Sequence, residues 1–186
     1  YVNENTLIPR PETEELVELV VNNGEAGVST ILDIGTGSGC IPIALKKKLP
    51  LANITSIDVS ESALQVAHRN AETLDAAIQL LQFDFLDETK WDDLPVFNVI
   101  ISNPPYIKQS EENSMVRHVL DFEPALALFV PDDDALLFYS KIAAFAKTHL
   151  TANGKIFMEI NEALGTAVTV LFQQEGYQTK LQQDLQ

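Results

Sequence analysis

The sequence has little of what holds small proteins together through covalent bonds or metals. It contains one cysteine, Cys40, among 186 residues, and its three histidines are scattered at positions 68, 118 and 149. A disulfide within the chain is therefore excluded, and no spacing typical of a metal site is present. A chain of this length buries enough surface to hold a core unaided. We expect a cytoplasmic protein with no bound metal.

Long apolar runs are also missing. No stretch approaches the roughly 18 consecutive apolar residues that a transmembrane helix needs. The first residues lack the charged-then-apolar layout of a signal peptide. The sequence therefore predicts a soluble protein, and we expect it to act as a monomer that does not bind membranes.

Basic residues are scarce. The chain carries 12 Lys and Arg against 27 Asp and Glu, which gives a formal net charge of −15. Duplex nucleic acid is bound largely through Lys and Arg that neutralise phosphates, so direct binding of nucleic acid is disfavoured. The densest basic cluster is Lys46 to Lys48. It falls at the end of a predicted helix, where cations interact favourably with the helix dipole.

Short β-branched runs alternate with longer helical patterns. This alternation predicts an α/β fold with a doubly wound, mostly parallel sheet and helices on both faces. Strands are predicted at 29–34, 53–58, 78–83, 96–102, 155–160 and 177–181, with a turn at Asn153-Gly154 before the fifth. Helices are predicted at 40–49, 61–73, 133–150 and 163–175. The polar stretch 106–132 is predicted to be a functional loop that covers the site.

A glycine-rich turn, Asp33-Ile34-Gly35-Thr36-Gly37-Ser38-Gly39, follows the first predicted strand and opens a helix. Open α/β sheets bind ligands at the carboxyl ends of their strands, and glycines allow close approach. A P-loop is excluded because no Lys-Ser or Lys-Thr pair follows the last glycine, and a nucleophile elbow is excluded because Ser38 lacks glycines two residues away. The third glycine comes one residue too early for the dinucleotide fingerprint. The spacing therefore favours a pocket for S-adenosylmethionine.

Acidic and aromatic residues follow the first three strands. Asp33 would face a cationic methionyl group or sulfonium favourably and a pyrophosphate unfavourably. Asp58 falls where a carboxylate accepts ribose hydroxyls, but this suits a dinucleotide equally, and an ordinary strand-end Asp is a further interpretation. Asp84 and Phe85 fall where a polar and an apolar group would flank an adenine ring. Phe85 suits a role in the core equally well.

The segment Asn103-Pro104-Pro105-Tyr106 follows the fourth predicted strand. Proline has no N–H, and the residue before a proline is held extended. The Asn103 side-chain oxygen and the Pro104 carbonyl are therefore predicted to accept both hydrogens of a substrate NH₂ group, while Tyr106 stacks on its planar face. A plain strand terminator with a packed tyrosine is the alternative. Beside the glycine turn, the motif favours methyl transfer to a planar amide or amine, driven mainly by positioning.

With these motifs the chain resembles the HemK/PrmC family of protein-(glutamine-N5) methyltransferases. The resemblance covers nearly the whole chain and rests on residues 7–14 (LIPRPETE), 32–39 (LDIGTGSG), 103–107 (NPPYI) and 122–128 (FEPALAL). It implies a Rossmann-like class I S-adenosylmethionine-dependent methyltransferase fold. It also implies an enzyme that methylates the glutamine of the GGQ motif in peptide chain release factors, with S-adenosylhomocysteine as the product.

The resemblance implies roles for individual residues. It assigns binding of the methyl donor to Gly35, Thr36, Gly37, Ser38, Gly39, Asp58, Phe85 and Asn103, to which the reasoning above adds Asp33 and Asp84. It assigns binding of the substrate glutamine, and catalysis of its methylation, to Asn103, Pro104, Pro105 and Tyr106. Pro11 and the acidic residues after it suit the start of a helix. Arg10 is not explained by a helix start, and we expect it to help close the cofactor pocket.

Two departures from the family concern the ends of the chain. The family carries a small helical domain before this region and a final antiparallel strand after it, and neither is visible here. Residues 1–186 are therefore predicted to form the catalytic domain alone. The alternative function is N6-adenine methylation of DNA or RNA, because such enzymes share the Asn-Pro-Pro-Tyr motif. The acidic charge disfavours that alternative, and the Arg-Pro-Glu-Thr-Glu stretch favours the release-factor enzymes.

Overall fold

The computed structural model describes residues 1–23, 29–114 and 123–183. Its main strands are β1 (Thr30–Ile34), β2 (Asn53–Asp58), β3 (Gln79–Gln82), β4 (Phe97–Ser102) and β7 (Leu150–Met158). They form a parallel sheet in the order β3-β2-β1-β4-β7. A second, small parallel sheet pairs β5 (Ile107–Lys108) with β6 (Phe129–Val130).

Six α-helices are described alongside these strands. They are α1 (Pro11–Asn23), α2 (Cys40–Lys48), α3 (Glu61–Thr73), α4 (Ala125–Leu128), α5 (Leu137–His149) and α6 (Gly165–Gln174). Short 3₁₀ helices span Glu88–Asp93, Gln109–Ser114 and Glu162–Leu164. Within the described ranges, no helix has the length and apolar character needed to cross a membrane.

Helices cover both faces of the main sheet. Successive residues of a strand point to opposite faces. Ile31 accordingly packs in a core cluster with residues of α1 and α2, whereas its neighbour Leu32 packs in a second cluster with residues of α5 and α6. Strands buried on both faces are mostly apolar, and β1 contributes Ile31, Leu32 and Ile34 to the core. The predicted doubly wound, mostly parallel α/β fold is confirmed.

Local signals placed several elements correctly. Ser60 caps α3, since its hydroxyl accepts a hydrogen bond from the Ala63 N–H at 3.1 Å. Pro11 begins α1. The N–H groups of the first helical turn have no acceptor within the helix, so the missing N–H of proline costs no hydrogen bond there. Lys46 to Lys48 end α2, as predicted from the helix dipole.

The predicted strand at 177–181 is wrong, because the structure assigns no strand to these residues. The segment instead packs on the helices. The Tyr177 hydroxyl donates to the Ala143 carbonyl at 2.8 Å, and the Tyr177 ring lies against Phe172. Leu181 remains 55% exposed. An alternating pattern forms a strand only where a neighbouring strand accepts its hydrogen bonds, and none pairs here within the described residues.

Two other boundaries differ from the prediction. Helix α5 begins at Leu137 rather than at residue 133, because a turn precedes it in which the Asp134 N–H donates to the Pro131 carbonyl. Strand β7 begins at Leu150 and runs through the predicted Asn153-Gly154 turn. The register against β4 shifts there, so the chain bulges without leaving the strand.

The stretch 106–132 is more ordered than its polar sequence indicated. Its described part contains β5, a 3₁₀ helix, α4 and β6, and the two strands pair in parallel. Residues 115–122, including Phe122 of the FEPALAL motif, lie outside the described residues. The described part of the stretch therefore forms a small parallel sheet of its own.

The order of the main strands creates a crevice between β1 and β4. The helix after β1 covers one face of the sheet and the helix after β4 covers the other, which is the switch point where such sheets bind ligands. The ends of the two strands are tied together, since the Ser102 hydroxyl donates to the Ile34 carbonyl at 2.8 Å. The glycine turn after β1 and the Asn103 corner after β4 therefore begin side by side.

Gly39 should be the least replaceable glycine of the turn. Its φ is +79°, and an added Cβ would lie 3.1 Å from the Ala67 Cβ and 3.2 Å from the Ala67 Cα. We expect Gly39→Ala to lower the free energy of unfolding by about 3 kcal/mol, through left-handed strain plus overpacking against α3. Urea denaturation measures the loss.

The matched control is Gly176→Ala. Gly176 has a similar φ of +87°, but nothing lies within 4 Å of an added Cβ. Only the backbone strain remains, which amounts to about 1 to 2 kcal/mol. Equal losses of unfolding free energy in the two variants would show that the contact of the added Cβ with Ala67 does not contribute to the destabilisation of Gly39→Ala.

Candidate functional site

A cavity of about 300 Å³ opens at the carboxyl ends of β1, β2 and β4. It lies in the crevice predicted from the strand order, and its volume is in the range of small-ligand sites. Its lining contains the predicted residues Gly35, Thr36, Gly37, Ser38, Asp58, Asp84, Phe85, Asn103, Pro104 and Pro105. Asp33, Gly39 and Tyr106 are not in the lining. The structure therefore brings most of the predicted site residues to one cavity and leaves these three outside its lining.

The glycine turn is both open and fixed. Gly35 and Gly37 have φ values of +74° and +53°, and no atom lies within 4 Å of where a Cβ would be. The N–H groups of Gly35 and Thr36 both donate to the Ile57 carbonyl, at 2.9 and 3.0 Å. The backbone of the turn is thus exposed to the cavity while it is anchored to β2.

Asp58, at the end of β2, also holds this turn. Its Oδ2 accepts from the Gly37 N–H at 2.8 Å and its Oδ1 from the Ser60 N–H at 2.9 Å. Burial raises the pKa of Asp58, and these backbone hydrogen bonds oppose the rise. A carboxylate oxygen can accept more than one hydrogen bond, so each oxygen retains capacity for a ligand hydroxyl.

Asp33 is fully buried beneath the turn. Neither of its oxygens has a hydrogen-bond partner among the described residues, and the hydroxyls of Thr36 and Ser56 nearby are also unpartnered. Burial raises the pKa of Asp33 to about 7, the Asp58 charge adds to the rise, and the two hydroxyls oppose it. The site therefore contains, next to its ligand-facing turn, a buried acid that the two nearby hydroxyls compensate only in part.

Phe85 serves the core and the cavity at once. It is 5% exposed, stacks on Trp91 with ring centroids 5.7 Å apart, and meets Phe145 edge-on. It also lines the cavity together with Asp84. The two interpretations of Phe85 drawn from the sequence are therefore compatible.

The Asn103 corner connects to two residues from distant elements. Asn103 Nδ2 donates to Thr13 Oγ1 at 3.4 Å, and Thr13 Oγ1 donates to Glu159 Oε2 at 2.9 Å. Burial raises the pKa of Glu159, and the hydrogen bonds from Thr13 and Asn103 oppose the rise. Tyr106 faces the same carboxylate, since burial and then the Glu159 charge raise its pKa. Tyr106 therefore lies near Glu159, and it is absent from the lining of the cavity.

Two further segments of the chain contribute to the cavity wall. The N-terminal segment, which contributes Asn5, Thr6, Leu7, Pro9 and Thr13, was not predicted from the residues. The other contributes Pro124, Leu126 and Ala127, which belong to the stretch 106–132 that was predicted to cover the site, together with Phe138 of α5. Asn70 fastens the first segment to the glycine turn, because its Nδ2 donates to the carbonyls of Tyr1 and Ser38, each at 2.8 Å. The LIPRPETE and FEPALAL motifs were the signal for these walls, but their local patterns indicate no cavity.

An ion pair joins these two segments. Arg10 Nη2 lies 2.7 Å from Glu123 Oε1, and the side chains are 36% and 1% exposed. Glu123 Oε2 is buried and has no partner among the described residues. Pro124, which follows Glu123, lines the cavity. Arg10 is therefore linked to the cavity through the segment that it holds.

Comparison with known proteins agrees with this geometry. The sequence model of the family described as "Methyltransferase small domain" matches residues 12–128. The chain is 46% identical over its whole length to a release factor glutamine methyltransferase of Flavobacterium psychrophilum, and spans 66% of that protein. It is 43% identical to the protein of the same name from Bacteroides thetaiotaomicron, where the match covers 95% of the chain and 63% of the relative. The chain thus spans somewhat less than two thirds of the length of these relatives.

Solved structures support the fold. The ribosomal protein L11 methylase of Lactobacillus delbrueckii subsp. bulgaricus aligns with a TM-score of 0.66 at 18% identity, over 96% of this chain and 76% of that one. A precorrin-6y C5,15-methyltransferase of Geobacter metallireducens aligns with a TM-score of 0.65 at 14% identity, over 96% and 77%. The fold is therefore that of class I methyltransferases.

Neutralising Asp33 should stabilise the ligand-free protein at alkaline pH. The folded state keeps the Asp33 proton up to about pH 7, whereas the ordinary pKa is 3.8. The folded state therefore binds more protons between these values, and the free energy of unfolding falls as the pH rises through them. We expect Asp33→Asn to be more stable than the parent at pH 8, by at most roughly 4 kcal/mol.

Urea denaturation at pH 5 and pH 8 measures this effect, and the difference between variant and parent should shrink at the lower pH. Asp92→Asn, at an exposed position, is the control and should shift stability little at either pH. A variant that is less stable than the parent at pH 8 would show that Asp33 is stabilising when ionised.

Breaking the Arg10–Glu123 pair should destabilise the protein more than breaking an exposed pair. Arg10→Ala leaves a buried carboxylate without its cation, and we expect a loss of about 2 kcal/mol, reduced from the full buried value by the partial exposure of Arg10. Lys48→Ala breaks a pair of 2.6 Å whose side chains are 44% and 51% exposed. It should cost less than about 1 kcal/mol. Similar urea midpoints for Arg10→Ala and Lys48→Ala would contradict a structural role for the Arg10–Glu123 pair.

Proposed function

The chain belongs to the methyltransferase small domain family, and from that membership we propose that it methylates peptide chain release factors. The methyl donor is S-adenosylmethionine, and the acceptor is the side-chain amide N5 of the glutamine in the GGQ motif. The observation that carries the proposal is the placement of the glycine turn and the Asn103 corner in one cavity. The curated relatives named as release factor glutamine methyltransferases support the choice of substrate.

The residues present fit S-adenosylmethionine. The open backbone at Gly35 and Gly37 would admit a ligand in close contact. The unpartnered carboxylate of Asp33 beneath it would favour the cationic methionyl end. Asp58 would accept the ribose hydroxyls, and Asp84 and Phe85 would flank the adenine ring. Thr36, Ser38 and Gly39 complete the proposed cofactor-binding turn.

Asn103 and Pro104 would hold the glutamine. The Nδ2 of Asn103 is engaged with Thr13, which leaves Oδ1 for the substrate. Pro104 is buried, and Pro105, which follows it, has no N–H to give to a neighbouring strand. Two acceptors in fixed positions would bind both hydrogens of the glutamine carboxamide and so present its nitrogen to the donor. Tyr106 would support this corner from behind through its contact with Glu159.

The chain's contribution to the reaction is mainly orientation. Bound S-adenosylmethionine supplies an electrophilic methyl group on a positively charged sulfur. A side-chain amide is a weak nucleophile, so its nitrogen has to be held in line, and effective positioning contributes at best roughly 7 to 11 kcal/mol. The acceptors at Asn103 and Pro104 bind the N–H groups and therefore orient the amide before transfer. Leu126, Ala127 and Phe138 give the cavity an apolar wall, which would reduce the access of water to bound ligands.

Further parts of the proposal concern the whole protein. Residues 1–186 would act as the catalytic domain of a monomeric, cytoplasmic enzyme that binds neither membranes nor nucleic acid. The net charge of −15 disfavours the N6-adenine alternative, because a duplex substrate would be repelled. Arg10 would keep the cavity closed by holding the segment after Glu123.

The deciding experiment offers the protein labelled S-adenosylmethionine with either a release factor or duplex DNA. We expect label on the glutamine of the GGQ motif, located by mass spectrometry of the digested release factor. Label on adenine instead would overturn the proposed substrate.

Asn103→Ala tests the proposed clamp in the same assay. Transfer should be lost, whereas calorimetry should find cofactor affinity within about tenfold of the parent, or 1.4 kcal/mol. Asn23→Ala, at the exposed end of α1, is the control and should retain activity. Survival of turnover in Asn103→Ala would remove Asn103 from the clamp.

A further inference from the structure

A line of polar side chains runs from the cavity into the protein behind Asn103. It comprises Asn103 after β4, Thr13 in α1 and Glu159 after β7. The backbone holds its two ends together, since the Glu159 N–H donates to the Ser102 carbonyl at 3.1 Å. Thr13 is 5% exposed, so water has little access to the middle of the line.

The hydrogen bonds in this line have one direction. An ionised carboxylate only accepts, and the Thr13 hydroxyl has a single proton, which it gives to Glu159 at 2.9 Å. The Thr13 oxygen is then available to Asn103 only as an acceptor. Of the two ends of the Asn103 carboxamide, only the NH₂ end can satisfy it.

The opposite orientation of Asn103 would bring two acceptors together. Its Oδ1 would face the Thr13 oxygen, and both would be left without a donor in a buried place, which is unfavourable. Asn103 and Thr13 both belong to the lining of the cavity, and with its NH₂ group on Thr13 the carboxamide has Oδ1 left for a ligand. The direction of the line therefore decides which atom of Asn103 the cavity receives.

We propose that Thr13 and Glu159 are positioning residues that fix the Asn103 carboxamide with its oxygen toward the substrate. The inference rests on the proposed function, because it explains how the clamp acquires an acceptor rather than a donor. With a reversed amide, the NH₂ group of Asn103 would meet the NH₂ group of the substrate glutamine. Neither residue needs to touch the substrate through its hydrogen-bonding atoms for this effect.

Thr13→Val tests the inference without any assay of activity. The substitution keeps the shape of the side chain and removes the acceptor. In ¹H–¹⁵N spectra of the ligand-free protein, the side-chain amide of Asn103 should give one well-separated pair of resonances, whose hydrogen exchange is at least tenfold slower than that of the exposed Asn22 side chain. In Thr13→Val this protection should fall measurably, because only the bond of Asn103 toward Glu159 remains, and in Thr13→Ser it should be kept. Unchanged protection in Thr13→Val would overturn the inference.

Kinetics on the release factor provide the second readout. We expect Thr13→Val to lower kcat at least tenfold, while KM and the dissociation constant of S-adenosylmethionine stay within about threefold. Thr13→Ser should recover most of the loss. Glu159→Gln, whose side chain can donate as well as accept, should lower kcat by a smaller factor with the same pattern. Thr169→Val is the matched control, because the Thr169 hydroxyl bonds only its own helix at the Gly165 carbonyl.

A loss confined to cofactor affinity in Thr13→Val would overturn the inference. If the parent transfers no label to the release factor, the proposed function fails, and the Asn103 resonances still decide the orientation of the amide.

Discussion

The site depends on one constraint: the parallel strands β1 and β4 end at the same level of the sheet. Ile34 in β1 pairs with Ser102 in β4, and the Ser102 hydroxyl donates to the Ile34 carbonyl. Because the strands end at the same height, the glycine turn and the Asn103 corner both open on the crevice that the strand order creates. Neither motif forms a site alone: the turn offers an open backbone, and the corner offers acceptors. The two motifs can act on the same ligands only because this register places them side by side.

Buried acids surround the cavity. Burial raises the pKa values of Asp33, Asp58 and Glu159 alike, so each carboxylate is held in an environment that disfavours its charge. Such groups weaken a fold, and proteins generally retain them where they serve a ligand or a reaction. Here they differ in their partners. Asp58 and Glu159 are hydrogen-bonded and hold neighbouring groups in place, whereas Asp33 has no partner among the described residues.

The sequence predicted well what is decided locally. The Ser60 cap and the Pro11 helix start depend on a few adjacent residues, and the glycine turn depends on its own φ angles. Features that depend on contacts between residues far apart in the sequence were not predicted. The 177–181 segment alternates like a strand, but an alternating pattern does not reveal whether a neighbour is present. Thr13 and Glu159 reach Asn103 from positions far apart in the sequence, and no sequence spacing predicts such a contact.

Asn70 illustrates how such a fold restricts residues that touch no ligand. Its side chain has two amide hydrogens, and both are used, one on the Tyr1 carbonyl and one on the Ser38 carbonyl. An aspartate would offer these carbonyls no hydrogen, and a glutamine would set its amide one methylene too far away. The first residues of the chain and the glycine turn are thus fastened by a single side chain in α3. Natural variation at position 70 should consequently be as narrow as at the residues that face the cavity.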